Sequence, residues 1–134
     1  MVAMQNHSHT ASPRPGQTQG PGTLSRLERL VLTAALKGES PDFVTLRAQL
    51  AKTSVASRTH SGVGFITRLA VPDTVPAAAE TVTRELRPVH ATHTTLAEPA
   101  EFLLQLRGGR LAVLEAFCFD GAWPADEAGF QVAV

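Results

Sequence analysis

Glu115 stands where an acid is least expected, inside the run GRLAVLEAFCF (109–119). Strand alternation counted from Gly108-Gly109 puts it on one side with Leu111, Val113, Phe117 and Phe119. Desolvation would raise the pKa of such a carboxyl unless a cation or donor holds it ionised, which makes it a candidate general acid or base. The structural alternative is an ion pair with Arg58 or Arg68. His90, in VHATHTTL (89–96), titrates near neutrality and could complete an acid/base pair with Glu115. His90 and His93 mimic a metal pair, but at i, i+3 in a strand they face opposite ways, so no metal site is expected there. His7 and His9 project together on an extended chain, yet two ligands make a poor zinc site. Cys118, the only cysteine, has no activating neighbours and reads as a small buried hydrophobe. Trp123, in the turn-rich FDGAWPAD, either seals one end of the core or lines a pocket. Arg68 and Trp123 are the candidate binding residues, and Glu115 and His90 the candidate catalytic ones.

These side chains need a scaffold, and its centre is a β-hairpin over Ala100 to Phe119. Gly108-Gly109 suits a two-residue type I′ turn, which sets Arg107 against Arg110. Pairing at a constant residue sum then opposes Leu106 to Leu111, Leu104 to Val113 and Phe102 to Glu115. Phe102, Leu104, Leu106, Leu111, Val113, Phe117 and Phe119 would form the buried face. Leu103, Gln105, Arg107, Arg110, Ala112, Leu114, Ala116 and Cys118 would form a mixed one.

Two short helices precede it. Ser25 with Glu28 is a capping box ahead of Leu27, Leu30, Val31, Ala34 and Ala35, and Gly38 ends the run. Ser40-Pro41-Asp42 opens a second helix, with Phe43, Leu46 and Leu50 on one stripe and an end near Lys52. β-prone residues then predict a strand over 53–60 and alternation one over 63–71, joined at Ser61-Gly62, with Gly62 and Gly64 read as a turn and a bulge. A short helix is expected within Ala77–Leu86, a strand over Val89–Leu96 and an edge strand near the C-terminus. Residues 1–22, rich in Pro, Gly, Gln, Ser and His, are expected to be a disordered tail before one domain over 23–134.

Composition narrows the field. Twelve basic and twelve acidic residues balance, so no overall field favours nucleic acid or an anionic membrane. Through Arg68 there are eight Lys/Arg against three Asp/Glu, and beyond it four against nine, so the halves carry +5 and −5. No disulfide, metal-ligand set or cofactor motif is visible, no apolar run is long enough for a membrane span, and the expected setting is the cytoplasm.

Ser61-Gly62-Val63-Gly64-Phe65 with Val71-Pro72, then Val89-His90-Ala91, then Gly109-x-Leu111-x-x-Leu114-Glu115 leading to Phe119-Asp120-Gly121 and Trp123-Pro124, form an ordered set. Over roughly Val55 to Pro124 the chain thereby resembles a group of small uncharacterised bacterial proteins. The resemblance implies a shared fold and site and names no reaction. The chain departs from the group at Glu98-Pro99-Ala100-Glu101, where a Gly-containing connection is expected, and at Phe119, where Tyr is expected.

The expectation is therefore an α+β domain with two N-terminal helices on an antiparallel sheet of four to six strands. Its leading function is that of a non-enzymatic binding module, using the less buried sheet face and the Trp123 corner. The alternative is a small hydrolase or isomerase with Glu115 and His90 in a pocket between helices and sheet. Partners expected are a protein or a second copy of the chain, with no nucleic acid, membrane or cofactor.

Overall fold

The structure, a computed structural model, describes residues 15–133; His7 and His9 lie outside them. It is α+β, with a seven-stranded antiparallel sheet in place of the four to six strands expected. In chain order the elements are β1 (Thr18–Gln19), α1 (Arg26–Ala35), α2 (Pro41–Leu50), β2 (Ser54–His60) and β3 (Gly64–Ala70). The short helix expected within Ala77–Leu86 is a 3₁₀ helix (Glu80–Glu85). β4 (Val89–Thr92), β5 (Ala100–Arg107), β6 (Arg110–Phe117), a second 3₁₀ helix (Glu127–Gly129) and β7 (Gln131–Val132) follow. The sheet order is β1-β2-β3-β6-β5-β4-β7.

Local chemistry explains the helices. Ser25 Oγ accepts from the Glu28 amide at 3.0 Å and Glu28 Oε1 accepts from the Ser25 amide at 2.8 Å, closing the capping box of α1. Pro41 occupies the first turn of α2 and Asp42 favours its positive end. Arg47 ties the helix connection by donating to the carbonyls of Leu36 and Gly38, each at 2.6 Å. Leu27, Val31, Leu32, Phe43 and Leu46 are buried against Val55, Phe65, Phe102, Leu111 and Leu114.

Gly108 and Gly109 have φ of +59° and +75°, as the turn requires, and Arg107 pairs with Arg110 and Leu106 with Leu111. Beyond that the expected register fails. A bulge at Ala112 shifts the pairing, so Val113 opposes Gln105, Leu114 opposes Leu104, Glu115 opposes Leu103 and Ala116 opposes Phe102. One extra residue inverts the parity of everything after it. Leu114, Ala116 and Cys118 therefore face the helices and are buried, while Val113, Glu115 and Phe117 face away and Phe119 is exposed.

The expected Gly64 bulge is also corrected, since the second bulge lies at Ala56. Gly64 instead permits close approach: a Cβ there would collide with the Ala116 carbonyl on the neighbouring strand. Residues 15–22, expected in the tail, join the sheet. β1 pairs Thr18 with Thr59 and Gln19 with Arg58, and Gly22 bridges to Val55.

The two bulges give the sheet two dissimilar faces. Val55, Arg58, His60, Phe65, Thr67, Leu69, Phe102, Leu111 and Leu114 lie beneath the helices. The opposite face carries Ser57, Thr59, Ile66, Arg68, Leu103, Gln105, Val113, Glu115 and Phe117, and no described element crosses it.

Candidate functional site

Under α1 lies a polar network the sequence reading missed. Glu28, on the inward side of α1, is fully buried. The Ala56 bulge turns Arg58 toward it, and Arg58 donates from Nε to Oε2 at 2.9 Å and from Nη2 to Oε1 at 2.6 Å. Thr67 Oγ1 adds a bond to Oε2 at 2.5 Å. Burial pushes the Glu28 carboxyl up, but the bonds from Arg58, Thr67 and Ser25 outweigh it and hold the group below its ordinary range. The bond to Glu28 raises Arg58 against the opposing effect of its own burial. His60 stands two residues beyond Arg58 on the same face, its Nε2 buried without a described partner. Burial, then the Arg58 cation, lowers its pKa. Every carboxylate oxygen of Glu28 is engaged, so this network holds α1 to the sheet and offers no free base.

Trp123 also points inward. Its ring meets Phe65 edge-on at 5.6 Å and Phe102 at 5.9 Å, and lies against Phe130 at 5.0 Å. Its Nε1 donates to Glu127 Oε2 at 2.8 Å. The corner seals the core. Burial raises the Glu127 carboxyl, partly opposed by the Trp123 bond. A cleft of about 230 Å³ lies between α1 and the second 3₁₀ helix, with Leu27, Leu30 and Phe130 in its walls and Arg26 and Glu127 as its only titratable lining. Its one acid is already bonded to Trp123, and its one hydroxyl, on Ser25, caps α1 by accepting from the Glu28 amide.

The remaining candidates gather on the open face, away from the helices. Glu115 does not lie in the buried stripe as expected. It projects between Ile66 and Leu103, and among the described residues it makes no ion pair or hydrogen bond. Arg68 is diagonal to it across β3 and β6, opposite Val113, and also has no described side-chain partner. His90 bonds Glu101 instead, Nε2 to Oε1 at 3.1 Å. It lies on β4, two strands from Glu115 on β6, so about 10 Å of sheet width separates them. Glu115 faces away from the helices, so the pair does not meet between helices and sheet.

His93 is structural. Its Nε2–H donates to the Asp126 carbonyl at 2.8 Å, and its Nδ1 accepts from the Thr95 amide at 3.1 Å. Cys118 is buried as expected, and burial, with Asp120 nearby, pushes its thiol up. Gln49, which no motif flagged, is fully buried and clamps the hairpin turn. It donates to the carbonyls of Pro76 at 3.0 Å and Gly109 at 2.9 Å and accepts from the Leu111 amide at 3.0 Å.

Around the free charges of the open face lie Ile66, Leu103, Val113 and Phe117, continued by exposed Phe119, whose ring meets Phe117 edge-on at 5.3 Å. In comparisons with known proteins the chain matches no family model, no curated protein and no solved structure. Among the described residues no helix is long and apolar enough to cross a membrane.

Proposed function

We propose that this chain is a non-catalytic protein-interaction module that docks its partner on the open face of the sheet. The observation that carries this reading is the pairing of a closed face with an uncovered one. Helices bury one side of the sheet, while Ile66, Leu103, Val113, Phe117 and Phe119 remain together on the other, rimmed by polar groups. Apolar centres with polar rims are the usual anatomy of protein–protein contacts. The separation of Glu115 from His90 removes the geometric support for the acid/base alternative. Trp123 contributes to this module by stiffening the core behind the face rather than by touching a partner. A free, buried Cys118 suits a reducing, cytoplasmic setting. The resemblance to small bacterial proteins fits a bacterial source.

Photo-crosslinking in the native host tests this reading. A crosslinking residue placed at Ile66 should give a discrete protein adduct, whereas one at Val44, exposed on α2, should not. Absence of an Ile66 adduct, or equal yield at both positions, would overturn it.

A further inference from the structure

The open face has a second property beyond its apolar centre. On that face Arg68 stands on β3 and Glu115 on the neighbouring β6, one residue pair further along the strands. Glu101 is already engaged by His90, which leaves Glu115 as the unengaged acid opposite Ile66.

Such a face is complementary to itself. A two-fold axis lying between two stacked sheets, perpendicular to the line from Arg68 to Glu115 and above its midpoint, carries each Arg68 over the other copy's Glu115. Both charges are then satisfied twice by one operation, as isologous contacts require. The same operation lays Ile66 and Val113 near their own counterparts and carries Phe117 over the β2 side of the other copy. A face five strands wide and about seven residues long covers roughly 550 Å² in projection, which side-chain relief brings near the roughly 800 Å² per partner of a stable contact.

We infer that the partner of the open face is a second copy of this chain, joined face to face through reciprocal Arg68–Glu115 ion pairs around an apolar centre. This rests on the interaction reading and names its partner.

Sedimentation velocity on the purified full chain, from about 1 to 200 µM to span the affinities open to a small interface, tests it. The wild-type mass should rise from 14.2 kDa toward twice that value with concentration. Arg68→Glu and Glu115→Arg should each weaken self-association by about a hundredfold, because each sets like charges against each other. An equimolar mixture of the two variants should associate again as a heterodimer, which an intramolecular Arg68–Glu115 contact would not produce. Ile66→Asp provides a separate disruption at an exposed position. A wild-type chain that stays monomeric throughout, or a variant mixture no more associated than either variant alone, overturns the second copy as partner. The Ile66 crosslink separates the two failures. An adduct with a different protein sinks only the self-association, and no adduct sinks the interaction reading with it.

Discussion

Two arginine–glutamate arrangements occupy opposite faces of one sheet, and they differ in every physical respect that matters. Beneath α1, Arg58 and Glu28 meet in a bidentate pair, Thr67 and Ser25 complete the carboxylate's bonds, and Glu28 is fully buried. On the open face, Arg68 and Glu115 lie on adjacent strands with no described partner. Burial without full pairing is costly, so the covered charges are held by four donor groups. Exposed charges carry no such requirement and stay available. The first pair is part of the fold, and the second is part of what the fold presents.

Breaking the covered pair should have the largest effect. Glu28→Ala leaves Arg58 facing a buried void and is expected to cost about 3–5 kcal/mol, lowering the thermal midpoint by roughly 10–20 °C. A melting curve checks this, and a loss below about 1 kcal/mol would erase the distinction between the faces. Trp123→Ala, which removes the ring wedged among Phe65, Phe102 and Phe130, should cost about 3 kcal/mol in urea unfolding. Gln49→Leu strands the Leu111 amide and is expected to cost about 2 kcal/mol.

Acid should act through the covered face. The pKa of His60 is lowered in the fold from its ordinary 6.5, so the unfolded chain takes up a proton first and stability falls as pH drops below 6.5. Glu28 adds to this at lower pH, since its contribution is present above 4.5 and is lost as pH falls through its lowered value. Glu127 runs the other way: its raised value favours the fold below 4.5, and that contribution disappears as pH rises through it. His60→Phe should flatten the stability profile just below pH 6.5, and Glu127→Gln should remove the opposing contribution. Urea midpoints measured across that range would show both. The smallest effect belongs to the open face, where Glu115→Gln should change stability by less than about 0.5 kcal/mol while weakening self-association. A large stability loss there would mean that Glu115 is structural after all.

Much of the fold was legible because its signals are local. Ser25 with Glu28, Pro41 after Ser40, and Gly108-Gly109 each specify backbone geometry within a few residues, and each element formed where expected. The site was less legible. Alternation marks Glu115 as an acid in an apolar run but, carried straight through Ala112, puts it on the wrong face. Nothing in RLAV marks that residue as a bulge. Its local sequence marks Glu28 only as a capping residue, because its second role depends on Arg58, thirty positions away. Gln49 carries no motif at all, since its three partners converge from two distant segments.

What the amino-acid sequence determined by itself was therefore the two helices and the longer strands: caps, turns and alternating runs arise from interactions that a few neighbouring residues make with one another. Which side of the sheet those runs present was decided only in the tertiary structure. Face parity depends on bulges at Ala56 and Ala112, and a bulge is a property of two strands pairing, not of either one. That pairing turned Arg58 inward to meet Glu28 and turned Glu115 outward to face solvent beside Arg68.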